Sequence, residues 1–230
     1  MTKQKSGKVG VPNPEDRAAA LRLFPLAPEA EARFDIYAGL LLRWQKTINL
    51  VAPSTLPWLW TRHFADSLQV QAAAPDVLVW ADLGSGGGFP GLVTAIVLAG
   101  RPGAMVHLIE SDQRKCAFLR EVSRETQAAA QIHNGRIEDV LSTLGNEPIE
   151  AISARALAPL PLLLGYSAPL LEKGAVGLFL KGEHYADELT APQAPGSFAG
   201  YDVAASPSAT SGAARLLMVK QKPLPAKLSP

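Results

Sequence analysis

Cysteine is almost missing. The 230 residues hold one, Cys116, which excludes an internal disulfide and any multi-thiolate zinc centre, and no metal site is expected. Long apolar runs are missing as well: no stretch approaches the roughly 20 residues that span a bilayer, so no membrane partner is expected. The first ten residues, MTKQKSGKVG, are polar and basic with no apolar stretch behind them, which is not the pattern of a secretory signal. A cytoplasmic location is the expectation. An excess of one charge is absent too. The net charge of +1 neither demands nor excludes a nucleic acid, because a phosphate backbone responds to Lys and Arg clustered on one face.

What is present suits a globular chain. An apolar fraction of 47% and a charged fraction of 19% exclude wholesale disorder, and the length fits one α/β domain with a modest extension. Residues 1–14 read as a disordered tail, with three lysines and two prolines and no apolar period. Residues 15–74 read as a helical extension. Within it Phe34, Tyr37, Leu41, Trp44 and Ile48 recur at steps of three and four, a stripe expected to pack on the main domain as plain core. A second helix is expected over Leu56–Gln71, carrying Arg62, His63 and Asp66.

From Pro75 the rhythm changes to alternating strands and helices, which predicts a Rossmann-like, doubly wound α/β domain over residues 75–222. Strands are expected at Val77–Leu83, Met105–Glu110, Gln131–Asn134, Ala151–Ser153 and Ala175–Lys181. Helices fall between them at Pro90–Leu98, Asp112–Thr126, Ile137–Leu144 and Pro159–Leu171. Phe198–Ala205 and Arg215–Lys222 have no helical pattern between them and are expected to form a terminal antiparallel hairpin. Residues 223–230 read as a proline-rich tail.

The most informative stretch is Asp82-Leu-Gly84-Ser-Gly86-Gly87-Gly88-Phe89-Pro90-Gly91, which follows a strand and opens a helix. Glycines there allow a sharp turn and bring bare backbone against a ligand. Gly86, Gly88 and Gly91 satisfy the dinucleotide pattern, whereas Asp82, Gly84, Gly86 and Gly88 satisfy that of methyltransferases. A carboxylate at the strand end would repel a pyrophosphate and suit the cationic S-adenosylmethionine, so Asp82 favours the methyl donor. Glu110, at the end of the next strand, is placed to accept from two ribose hydroxyls in either cofactor.

Absences narrow the acceptor. Methylation of a pyrimidine carbon needs a cysteine nucleophile, and Cys116 lies in the helical run KCAFLR, where a buried packing thiol is expected. The Asn/Asp-Pro-Pro-aromatic loop that holds exocyclic amines is absent after the fourth strand, which reads Ser153-Ala-Arg155-Ala-Leu-Ala-Pro159. Guanine N7 carries a free lone pair and needs no general base, so positioning would carry the reaction.

The ordered set Asn49-Leu50, Arg62-His63-Phe-Ala-Asp66-Ser67, the Asp82–Gly91 loop, Arg114-Lys115, Phe118-Leu119-Arg120, Gly135-Arg136-Ile137-Glu138, Ser153-Ala-Arg155-Ala156 and Leu180-Lys181-Gly182 closely resembles the glucose-inhibited-division B family. Its members are bacterial 16S ribosomal RNA guanine-N7 methyltransferases. The resemblance implies a class I S-adenosylmethionine-dependent fold, 16S ribosomal RNA or the small ribosomal subunit as partner, and a chain acting as a monomer. It also implies cofactor contacts at Gly84, Phe89, Ile137, Glu138 and Arg155. For Arg155 a structural salt bridge is the competing role, for His63 a structural pair, and Lys181 could meet an RNA phosphate or a carboxylate. A nicotinamide-dependent dehydrogenase and a non-catalytic RNA-binding assembly factor stay open as alternatives.

Overall fold

The computed structural model describes residues 13–190 and 198–223. Of the two expected tails only residues 13, 14 and 223 fall inside that range. The chain opens with α1 (Pro14–Leu23), capped by Asn13, whose side chain accepts from the Glu15 amide. The tail reading is therefore corrected at residues 13 and 14, which begin a helix. That helix shows no apolar stripe because it is anchored by polar groups: only Asp16 and Ala20 are buried.

Helix α2 (Pro28–Trp44) follows, and Phe34, Tyr37 and Leu41 of the expected stripe are fully buried. The stripe packs on the domain core, with Tyr37 against Phe89 and Trp44 edge-on to Phe118. The single helix expected over Leu56–Gln71 is instead three pieces: a 3-10 segment (Pro53–Trp58), a wider π turn (Trp60–Ala65) and α3 (Asp66–Ala72). Two local causes explain the break. Pro57 has no N–H to donate, and the Trp60 and Thr61 amides donate to the buried carboxylate of Asp16.

The remaining elements alternate as read. They are β1 (Val79–Leu83), α4 (Gly91–Val97), β2 (Met105–Glu110), α5 (Gln113–Thr126), β3 (Ala130–Asn134), α6 (Ile137–Thr143), β4 (Ala151–Arg155), α7 (Leu160–Leu171) and β5 (Val176–Lys181). A short α8 (Tyr185–Thr190), which the sequence pattern did not announce, precedes the hairpin β6 (Tyr201–Pro207) and β7 (Arg215–Gln221).

The seven strands run in the order β3-β2-β1-β4-β5-β7-β6. The first five are parallel and β7 joins β5 antiparallel. Two apolar layers cover the faces: Trp80, Val106 and Leu108 meet α2 to α5, while Ala81, Leu83 and Ile109 meet α6 and α7. Between β1 and β4 the winding reverses, so the loops leaving those strands diverge and open a crevice at their carboxyl ends.

Candidate active site

That crevice is a cleft of about 1700 Å³, and Gly84, Gly86, Phe89, Glu110, Ile137, Glu138, Arg155, His63 and Lys181 all line it. Nine of the ten residues singled out in the sequence therefore share one site. Asp82 is the exception.

The alternation of β1 sets Asp82 on the same face as Trp80, beneath the start of α4, where it is fully buried. A Cβ on Gly91 would lie 2.4 Å from that of Asp82, so the glycine is what lets the helix close over the carboxylate. Strand pairing aligns Asp82 with Ser153, whose hydroxyl donates to Oδ1 at 2.6 Å. Burial pushes the Asp82 carboxyl up from 3.8 to about 6, with Ser153, Ser85 and the Gly91 amide pulling the other way. Asp82, expected among the cofactor contacts, does not line the cleft in this structure; it lies buried below the loop, bonded to Ser153.

Three amides of the loop are already bonded within the protein. The Ser85 amide donates to the Ile109 carbonyl, the Gly86 amide to Glu110 Oε2 at 2.9 Å, and the Gly88 amide to the Ser85 carbonyl. These N–H groups are turned inward, leaving a poor cradle for a diphosphate, which depends on free amides. Glu110 also accepts from the Asp112 amide at 2.8 Å. Each carboxylate oxygen keeps a second acceptor position, so a rigidly held acid faces the cleft with capacity to spare. Gly84 has φ of 64°, and a Cβ there would come within 2.5 Å of Leu157. Only glycine lets the strand end bend this close to the β4 loop.

Across the cleft, β4 ends in Arg155, and Ala156 turns the chain away with φ of 52°, uncommon for a residue with a Cβ. The Arg155 guanidinium lies 4.8 Å over the Phe89 ring, which also stacks on Tyr37 at 5.4 Å. Its nitrogens donate to the Arg62 carbonyl at 3.0 Å, to Asp66 Oδ2 at 3.3 Å and to His63 Nδ1 at 2.7 Å. An arginine only donates, so His63 accepts at Nδ1 and carries its proton on Nε2, 2.8 Å from Thr55 Oγ1. Burial, then the charges of Arg155 and Arg62, lower His63 from 6.5 to about 3. The ring is neutral and both its nitrogens are engaged.

The network reaches the hairpin, since Asp66 Oδ1 accepts from Gln69 at 2.8 Å and from Thr210 at 2.7 Å. The salt bridge expected as a competing role for Arg155 is thus present, and Arg155 lines the cleft as well. His63 pairs with Arg155 and Thr55, not with the aspartate three residues on. Lys181 meets a carboxylate: its Nζ is 2.7 Å from Glu188 of α8 and 2.9 Å from the Ala158 carbonyl. Glu188 in turn accepts from the Leu160 amide that starts α7. Cys116 is buried beneath the cleft, its thiol donating to the Glu110 carbonyl, and burial raises its pKa. Little thiolate forms there.

Sequence reasoning missed Asp16, Tyr37, Thr55 and Thr210 as supports of the site. Tyr37 was read as core and is core, but its hydroxyl also donates to the Gly87 carbonyl. None of the four has a sequence neighbour that signals its partner: three of the bonds span distant segments, and the fourth, Thr55 to His63, crosses the irregular turn between them.

A seven-stranded sheet with five parallel strands, an antiparallel hairpin at one edge and a glycine loop at its switch point is the fold of class I methyltransferases. Solved structures agree on the fold. An O-methyltransferase TomG from Streptomyces achromogenes, in complex with SAM, superposes with a TM-score of 0.59 at 16% identity, covering 96% of this chain and 100% of its own. A putative O-methyltransferase from Klebsiella pneumoniae gives 0.58 at 15%, covering 91% and 97%.

The chain belongs to the GidB family, rRNA small subunit methyltransferase G, whose model matches residues 30–217. Its relative named ribosomal RNA small subunit methyltransferase G from Bradyrhizobium sp. (strain BTAi1 / ATCC BAA-1182) is 54% identical over 175 residues, 76% of this chain and 78% of that one. The protein of the same name from Methylobacterium sp. (strain 4-46) is 45% identical over 213 residues, 92% and 99% of the two chains.

Proposed function

We propose that the protein transfers a methyl group from S-adenosylmethionine to N7 of a guanine in 16S ribosomal RNA. The observation that carries the chemistry is the locked state of the groups at the cleft's centre. Both nitrogens of His63 are bonded, and Arg155 is held by three acceptors and a ring, so neither is free to take a proton from an acceptor base. Guanine N7 asks for no proton removal, because its lone pair already points outward.

The donor fits the near half of the cleft. Glu110 would accept from its two ribose hydroxyls, and Ile109 and Ile137 offer apolar surface for an adenine, with Glu138 beside them. Gly84, Gly86 and Phe89 would border the methionine part, with Asp82 acting only through the loop it braces. When bound, the donor supplies an electrophilic methyl on a cationic sulfur. The protein's part is to hold the acceptor in line and shed water, and such positioning can contribute on the order of 7–11 kcal/mol. Arg155, stacked and hydrogen-bonded, is a rigid rim between donor and acceptor. Lys181, paired with Glu188, fixes the far wall by tying β5, α7 and α8 together.

Among the described residues no helix is long and apolar enough to cross a membrane. The reading places the protein in the cytoplasm, acting as a monomer on the small ribosomal subunit or its RNA. Mass spectrometry of 16S ribosomal RNA from a strain lacking the gene tests it. One 7-methylguanosine should vanish and return on complementation; an unchanged nucleoside profile would refute the assignment.

A further inference from the structure

Four tryptophans are present, and three of them have their rings or indole N–H groups engaged by other residues. Trp44 Nε1 donates to Glu121, Trp80 Nε1 donates to the Val77 carbonyl, and Trp60 is packed among Phe34, Phe64 and the Arg17 guanidinium. Trp58 is different. It is 51% exposed, and among the described residues its ring has no aromatic partner and its indole N–H no acceptor.

A small pocket of about 470 Å³ opens against it, lined by Ser54, Thr55, Trp58, Thr61 and Arg62. Thr55 and Arg62 also line the large cleft, so the pocket opens off the same mouth. Its chemistry is one aromatic face, three hydroxyls and a guanidinium, with no carboxylate in the lining. Arg62 is exposed and has no acid partner among the described residues.

The exposure of Trp58 is not that of a loose loop. Its segment is pinned before and after it, by the Asn13 amide on the Pro57 carbonyl at 3.2 Å, by Asp16 on the Trp60 amide at 2.8 Å, and by His63 on Thr55. A braced aromatic face loses little entropy when something stacks on it.

An RNA guanine can reach a deep cleft only when it is splayed from its neighbours, which leaves the adjacent base without a stacking partner. We propose that Trp58 is the replacement partner: a stacking platform for the nucleotide next to the methylated guanine, with Arg62 on the intervening phosphate. This rests on the methyl-transfer reading above. Base–aromatic stacking is tolerant of sequence, so the platform would hold the strand's path without reading its bases.

The test uses the full chain and its Trp58→Ala and Trp58→Phe variants, with small subunits carrying unmethylated 16S ribosomal RNA as acceptor. Trp58→Ala should raise KM for the subunit roughly five- to 150-fold, the effect of losing one stacked base, while affinity for S-adenosylhomocysteine stays at the wild-type value. Trp58→Phe should keep most of the wild-type KM. In 5-fluorotryptophan-labelled protein the Trp58 fluorine signal should shift on adding a protein-free RNA of the target sequence, and not when the base beside the guanine is abasic.

An active wild type whose Trp58→Ala variant keeps its KM within twofold would overturn the platform alone. A fluorine shift identical for intact and abasic RNA would do so too. A signal that moves on deleting residues 2–12 but not on adding RNA would assign the face to the chain's own start, and one that moves with small subunits even when the base beside their target guanine is abasic would assign it to a ribosomal protein. Absence of methyl transfer by the wild type would instead sink the functional reading.

Discussion

Among the buried titrating groups of the site, His63 and Asp82 act on stability with opposite signs. Asp82 is raised from 3.8 to about 6, so its contribution is full below 3.8 and lost as pH rises through 6. His63 is lowered from 6.5 to about 3, so the unfolded chain takes a proton below 6.5 that the folded chain refuses until about 3. Because the windows overlap, the His63 effect is read from a variant and not from the wild type alone. At pH 5 the neutral ring costs the wild type ~2 kcal/mol relative to pH 7. His63→Gln loses hydrogen bonds at both pH values but is free of that penalty. The stability gap between wild type and His63→Gln, measured by denaturant unfolding, should therefore narrow by ~2 kcal/mol from pH 7 to pH 5. A gap that widens would mean the ring is charged in the fold.

Glu110 both pins the loop and faces the cleft. Glu110→Gln puts an NH2 in place of one of the two oxygens, each of which accepts from a backbone amide. Titration calorimetry should show affinity for S-adenosylhomocysteine falling roughly 10- to 150-fold, the effect of losing charged hydrogen bonds of ~1.5–3 kcal/mol. Unchanged affinity would separate Glu110 from the cofactor.

Among the elements, what was legible in the sequence was what repeats. Strand β2 has the bounds read from its apolar run, and α5 begins one residue after its expected start because Asp112 stands outside as the cap, accepting from the Arg114 amide at 2.8 Å. Elements held by single polar anchors were not legible. Helix α1 docks through Asp16 and Arg17, and α8 is tied to β5 and α7 through Glu188, so neither carries a periodic apolar signal. The site followed the same division. Strand-end positions such as Glu110 and Arg155 could be read from topology, whereas the burial of Asp82 needed the closeness of Gly91, a contact across two layers.

Helix α1 is where an element's role can be tested. Asp16 accepts from the Trp60 and Thr61 amides and from the Thr61 hydroxyl, holding the π turn from which Arg62 and His63 face Arg155. Asp16→Ala leaves those amides without an acceptor and should destabilise the fold by ~1–3 kcal/mol in denaturant unfolding. Methyl transfer should fall while binding of S-adenosylhomocysteine, whose proposed half of the cleft is built from β1, β2 and α6, changes little. Loss of cofactor binding as the first effect would contradict this division of the cleft.

At the scale of the whole molecule, the sheet's change of winding at β1 and β4 makes the crevice, and each side is closed by a different part of the chain. The side proposed for the cofactor is built within the parallel sheet. The side proposed for the acceptor is assembled from long-range pieces: the turns after α2, the end of β4, and the β6–β7 loop through Thr210 and Asp66. One half is thus shaped by the regular fold, while the other depends on a hydrogen-bonded network centred on Arg155.

The most direct measurement of the central claim is transfer of labelled methyl from S-adenosylmethionine by the purified protein to small subunits lacking the modification, followed by digestion of the RNA to nucleosides. The expected result is label in 7-methylguanosine from 16S ribosomal RNA and in no other nucleoside. Label in a methylated pyrimidine or an exocyclic amine, or none at all from a folded protein that binds S-adenosylhomocysteine, would contradict it.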